Sequence, residues 1–168
     1  MRGLRACILL MLLGATTASA QAFSIYLVRH AEKQGPSMMS AGPGLTDCGH
    51  RRAAALADFL VDIPLRAVYA TEYRRTQETA APAAALHGLQ IEPYAPRELA
   101  TLAQQLRERG EDALVVGHSN TTAVLAGLLS GHEGAAYDES DYSRLYQVVI
   151  GQGSARQYLY RQTFSCEP

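Results

Sequence analysis

The sequence predicts an α/β fold: a layered sheet, largely parallel, with one antiparallel strand. Three observations carry this. Short β-branched and aromatic runs alternate with longer helix-forming stretches, the order expected of strands joined by crossover helices. The run Ala113-Leu114-Val115-Val116 shows no polar alternation, as in a strand covered on both faces. Near the end, Gly151-Gln152-Gly153-Ser154 joins two strand-like runs and signals a hairpin, the source of the antiparallel element.

The elements follow in order. Ser24 to Val28 reads as a strand running into Arg29-His30, and Gln34 to Gly44, rich in Gly, Pro, Ser and Met, reads as a loop. Thr46 or Asp47 can cap a helix that continues through the Ala-rich stretch Arg51 to Leu60. Ala67 to Ala70 is a second short strand. Tyr73 to His87 is helical in character, although Pro82 must begin, bend or interrupt part of it. Ile91 to Tyr94 is a third strand. A helix from about Glu98 to Arg109 places Leu99, Leu102, Ala103 and Leu106 on one face, and Gly110 ends it. After Ala113 to Val116 comes a helix over Thr121 to Leu129, with Asn120 read as its cap in preference to a phosphate contact, then strands at Leu145 to Ile150 and Arg156 to Tyr160. Tyr137 to Tyr146, with Asp138, Glu139 and Asp141, reads as a mobile polar loop that can border a site. The sequence shows no repeat, low-complexity tract or second domain.

Composition narrows the partners. With 168 residues, 48% hydrophobic, 18% charged and a formal net charge of -1, the chain suits one globular domain with a core that needs no staples. Near-neutral charge gives no electrostatic reason to expect nucleic acid or an anionic membrane surface. Residues 1–20 read separately: Arg2 and Arg5 precede the apolar run Ala6 to Ala15, and Ala18-Ser19-Ala20 offers a cleavage site, the pattern of a secretory signal. Cys7 lies inside the apolar run rather than after small residues at its end, unlike a lipoprotein signal. The expectation is a single domain over 21–168, periplasmic or secreted and free of the membrane after cleavage. The mature chain keeps Cys48 and Cys166, which an oxidising compartment would pair.

In parallel α/β sheets, ligands collect beyond the carboxyl ends of the strands. Three predicted strands end in unusual polar groups there: Arg29-His30-Ala31-Glu32, Thr71-Glu72-Tyr73-Arg74-Arg75-Thr76 and Gly117-His118-Ser119-Asn120. Two imidazoles and two or more guanidiniums suit a phosphoryl group. Guanidinium forks match phosphate oxygens bidentately and stay charged. Nearby cations favour the neutral form of an imidazole, which is the nucleophilic form. Fixed donors then stabilise charge on the equatorial oxygens. If arginines supply the positive charge, no metal or other cofactor is required, and the partner is a small phosphorylated substrate.

These residues resemble the histidine phosphatase superfamily, also called phosphoglycerate mutase-like. Arg29-His30-Ala31 matches its opening Arg-His-Gly/Ala signature, and Arg75-Thr76-Gln77-Glu78-Thr79-Ala80, with Thr71 before it, matches its Arg-Ala-x-x-Thr-Ala turn. Val115-Val116-Gly117-His118-Ser119-Asn120-Thr121 matches its later Gly-His motif, and Leu45-Thr46-Asp47-Cys48-Gly49 its Leu-Thr-x-x-Gly stretch. The likeness runs from about Ile25 to Leu129. It implies a three-layer α/β/α sandwich, His30 as a nucleophile that becomes phosphorylated, and Arg29, Arg75 and His118 as the rest of the phosphate pocket. Register favours Arg75 over Arg74, which reads as a surface or rim cation. Many members supply an acid for the leaving oxygen. No flanking motif marks one here, and Glu98 and Glu32 are the candidates.

Two readings from other classes compete with this exported phosphomonoesterase. Gly117-His118-Ser119-Asn120-Thr121 also resembles a nucleophile elbow, which would make Ser119 the centre of a serine esterase. Alternatively, the same arginines would serve a non-catalytic phosphate-ligand binder. His50, His87 and His132 lack comparable company and read as surface residues.

Overall fold

A computed structural model describes residues 21–151 and 153–166; the proposed signal segment and Gln152 lie outside the described residues. The elements are β1 (Phe23–Arg29), α1 (Asp47–Phe59), β2 (Ala67–Ala70), α2 (Arg74–Leu86), β3 (Ile91–Pro93), α3 (Leu99–Arg109), β4 (Ala113–Gly117), α4 (Thr122–Ser130), β5 (Arg144–Gly151) and β6 (Ser154–Arg161). Among the described residues they form one six-stranded sheet in the order β3-β2-β4-β1-β5-β6. β3, β2, β4 and β1 pair in parallel. β5 runs against both β1 and β6, and is the one reversed strand.

Strand alternation sorts the core into two halves. Ile25, Leu27, Tyr69, Ala113 and Val115 face α3 and α4, where Leu102, Leu106, Leu125 and Leu129 pack against them. Their neighbours Tyr26, Val28, Val68, Leu114 and Val116 face α1 and α2, meeting Leu56, Ala57, Ala80 and Ala83. Burial on both faces explains the unbroken apolar run of β4, and helices on either side make three layers.

Local chemistry sets the element ends. Thr46 caps α1, its Oγ1 accepting from Gly49 N at 3.1 Å. Gly110 closes α3 at φ 62°, in the left-handed region that glycine enters without strain. Pro82 sits inside α2 rather than ending it. Its ring removes the bond to the Glu78 carbonyl, yet buried Ala80, Ala83 and Ala84 hold the helix against the sheet. Asn120 is exposed and is not the cap of α4. Thr121 occupies that position, and its Oγ1 accepts from His118 N at 2.9 Å. His87 is half-buried rather than a surface residue.

Cys48, in the first turn of α1, is bonded to Cys166 across 118 residues with a Cα–Cα distance of 5.6 Å. The tail arriving there also meets Arg52, whose guanidinium lies 5.0 Å from the Phe164 ring. Among the described residues no helix is long and apolar enough to cross a membrane.

Candidate functional site

The sheet register builds the site. In the parallel β1–β4 pair, Arg29 lies opposite Gly117, so the residues that follow, His30 and His118, emerge side by side. His30 N donates to the Gly117 carbonyl at 2.9 Å and extends the ladder by one bond. The other neighbour of β4 is β2, with Ala70 opposite Val116, which brings Thr71 to the same edge. Gly117 is required by the crowding. A Cβ there would lie 2.8 Å from both Thr121 Oγ1 and Tyr94 Oη.

The His30 and His118 rings are 5.5 Å apart between centroids, edge to face. They line one cavity of about 400 Å³ together with Arg29 and Arg75, so the four predicted residues converge. Lys33, Arg97 and Glu139 share its wall, as do Ser119, Asn120 and Thr121 at the start of α4.

His30 Nδ1 lies 2.8 Å from the Ala31 carbonyl. A carbonyl only accepts, so this bond puts the ring proton on Nδ1 and leaves Nε2 with a free lone pair. Burial pushes the His30 pKa down to about 3; the Ala31 carbonyl, the next largest influence, opposes it, and the Arg29 and Arg75 charges add smaller downward pushes. His118 is held at about 4 by burial, then by Arg75 and Arg29. Its Nε2 lies 3.1 Å from Thr71 Oγ1 and its Nδ1 3.4 Å from an Arg75 nitrogen. Both imidazoles are therefore neutral near pH 7.

Each arginine is oriented by aromatic and backbone partners. Arg29 Nη1 donates to the Glu139 carbonyl, and its guanidinium lies 4.3 Å from the Tyr142 ring. The Arg75 guanidinium lies 4.5 Å from the Tyr73 ring. Arg29 Nε and Arg75 Nε are both buried with no acceptor among the described residues. The cavity thus holds donors in excess of acceptors, the condition for binding an anion. One hydroxyl links its two motifs: Thr79 Oγ1 accepts from Ala31 N at 2.9 Å and donates to the Arg75 carbonyl at 2.7 Å.

The remaining sequence candidates separate. Arg74 pairs with Glu78 at 2.6 Å on the surface of α2, outside the cavity. Glu32 is bound bidentately by Arg52, Nε donating to Oε2 at 2.9 Å and Nη2 to Oε1 at 2.6 Å, which takes it out of consideration as a proton donor. Glu98 is exposed at the start of α3; Pro96 and Arg97 line the cavity instead. Ser119 reaches the cavity, but neither His30 nor His118 bonds to it among the described residues, so it lacks the base an elbow serine needs. The Tyr137 to Tyr146 segment is more ordered in its contacts than a mobile loop. Tyr137 is buried, and Asp141 binds Arg144 at 2.7 Å and Arg161 at 2.8 Å. Glu32, Cys48 and Cys166 also gather within 4.8 Å of one another, a spacing suited to a metal. The disulfide occupies both sulfurs and Arg52 the carboxylate, so these groups do not fit one.

Fold and site define an α/β protein with an anion pocket built around paired, neutral histidines. Residues 25–96 match the profile of the histidine phosphatase superfamily (branch 1), and over that stretch the chain is similar to this family. The uncharacterised protein Rv0525 of Mycobacterium tuberculosis (strain ATCC 25618 / H37Rv) is 44% identical over 72 residues, which are 40% of this chain and 36% of that protein. The chain thus spans about a third of the length of the curated relatives it matches. Among solved structures, the protein histidine phosphatase SixA complexed with tungstate superposes with a TM-score of 0.67 at 16% identity, covering 82% of this chain and 96% of that one. The alpha-ribazole phosphatase from Shigella flexneri gives 0.63 at 18% identity, covering 86% and 100%. The mycobacterial glucosyl-3-phosphoglycerate phosphatase Rv2419c gives 0.60 at 15%, again covering 86% and 100%. At these identities the likeness shows a shared fold.

Proposed function

We propose that this chain is an exported phosphomonoesterase that hydrolyses a phosphate ester through a phosphohistidine on His30, without a metal. One observation carries the reading: two buried neutral imidazoles stand 5.5 Å apart in a cavity walled by buried Arg29 and half-buried Arg75. His30 Nε2 attacks phosphorus as the bond to the ester oxygen breaks, while Arg29 and Arg75 hold the equatorial oxygens. The bound dianion reverses the local field, so His118 takes up a proton and donates to the phosphoryl group. Glu139, the carboxylate on the cavity wall, protonates the departing oxygen and then draws a proton from the water that cleaves the phosphohistidine. The structural neighbours support this reading, since three of them are named as phosphatases. The signal-like N-terminus and the Cys48–Cys166 bond support export to an oxidising compartment.

The test is acid quench during turnover of radiolabelled p-nitrophenyl phosphate, with and without vanadate. The expected result is an acid-labile phosphoenzyme that is absent in His30→Ala, with turnover blocked by vanadate. Labelling of Ser119 by a fluorophosphonate with no effect of vanadate would establish a serine esterase instead. Phosphate binding with no release from any ester would establish a binder.

A further inference from the structure

Beside the anion cavity lies a second and larger one of about 710 Å³, and Tyr73 and Pro96 line both. Its other walls are Pro93 at the end of β3, Tyr94 and Ala95 just after it, and Ala41 from the loop that precedes α1. Glu72 is the charged residue on that wall. The two spaces differ in character: the first is cationic, the second mainly aromatic and apolar with one carboxylate.

Tyr73 makes the join. Its ring stands 5.2 Å from the His118 ring, edge to face, and carries the Arg75 guanidinium 4.5 Å from its centre, yet the residue remains 40% exposed. A phosphoryl group held by Arg75 would therefore sit next to a partly exposed aromatic surface. The loop opposite presents two thioethers to solvent, Met38 and Met39, next to the Ser40 and Ala41 that line the groove. Exposed methionines beside an aromatic groove adapt to a flat apolar partner. A volume of 710 Å³ is within the range of small-molecule sites and far exceeds what a three-carbon acid requires. Glu72 would repel a substrate carrying a second anion at that end and would accept from an amine or ring N–H.

Resting on the phosphomonoesterase reading, we infer that the groove between Ala41 and Tyr94 seats the leaving group, and that the preferred substrates are small phosphomonoesters of ring-bearing alcohols of nucleoside size, with hydrogen-bond donors on the ring. Tyr73 is then a specificity residue that stacks the ring, and Glu72 selects its edge.

Adenosine 5′-monophosphate and ribose 5-phosphate test this well, because they share the ester alcohol and differ in the base. The expected kcat/KM ratio favours the nucleotide by about tenfold or more, the scale of one base–aromatic stack. Ala95→Trp fills the groove from an exposed position that touches no phosphate-binding group. It should erase the ratio by lowering the nucleotide alone, with vanadate inhibition unchanged. Glu72→Lys should raise turnover of 3-phosphoglycerate relative to the nucleotide. Equal kcat/KM for the two probes, indifference to Ala95→Trp, or preference for a phosphohistidine peptide over both would overturn the proposal. Calorimetric binding of the same pair separates the two readings. Tighter nucleotide binding without any hydrolysis supports the groove and defeats the phosphatase, whereas equal hydrolysis of both does the reverse.

Discussion

Acid should unfold this protein through its own site. His30 and His118 are held at about 3 and about 4, against 6.5 for a free imidazole. Above pH 6.5 the folded and unfolded chains bind the same number of protons at these rings, and neither ring makes stability depend on pH. As pH falls through 6.5 the unfolded rings take up protons and the folded ones do not, so stability drops until the folded values are reached. At pH 5 each ring accounts for about 1.5 pH units of this difference at about 1.36 kcal/mol per unit, or roughly 2 kcal/mol, and the pair for roughly 4 kcal/mol. That is a large part of the stability of an ordinary domain. Few carboxylates titrate between pH 7.5 and 5, so this window isolates the imidazoles. The assay is urea denaturation at both pH values for wild type and for the double variant His30→Asn, His118→Asn. Wild type should lose roughly 4 kcal/mol more than the double variant on acidification. Equal losses in both proteins would refute the claim that these two rings are held neutral by burial and neighbouring cations.

Two further outcomes follow from geometry. Reducing Cys48–Cys166, or replacing Cys166 with Ser, frees a loop of 118 residues and should cost about 4–5 kcal/mol by chain entropy, measured as a fall in urea midpoint without loss of the circular dichroism of the folded state at low urea. An unchanged midpoint would mean that the bond adds nothing to the fold. Gly117→Ala forces a methyl against Thr121 Oγ1 and Tyr94 Oη at the base of the site. It should lower stability by about 1–3 kcal/mol and weaken vanadate binding together, by thermal shift with and without vanadate.

What the sequence made legible was what depends on neighbours along the chain. Strand composition, the Thr46 cap, the Gly110 stop and the polar groups after β1, β2 and β4 are all local signals. Parallel pairing then did the rest, because aligned strands put their last residues together: His30 and His118 meet since Arg29 pairs with Gly117. The contacts that escaped are those closed over long stretches of chain. Arg29 meets the Glu139 carbonyl across 110 residues, and Glu32 meets Arg52 because the ends of the loop before α1 pair with each other, Lys33 bridging Leu45. No period or motif records such a meeting. Asn120 was misread for a related reason. Both Asn120 and Thr121 are plausible caps by type, but no side-chain cap bond marks the start of α4; Thr121 holds the boundary position while its hydroxyl turns back to His118 N, and Asn120 lines the cavity. The one hint for the Tyr137 to Tyr146 segment was its closely spaced tyrosines, two of which lie against guanidiniums, Tyr142 with Arg29 and Tyr137 with Arg144.

The hydroxyl of Thr79 has one proton and commits it to one motif while offering a lone pair to the other. The bond to the Arg75 carbonyl lies within α2 and fixes the hydroxyl on that helix, so the bond from Ala31 N alone spans the gap between the segment after β1 and α2. Valine would keep the shape of that side chain and lose that bond. Any drift of α2 away from β1 must break the Ala31 bond first, so the spacing of the two segments is either held or lost, with little room for an intermediate setting.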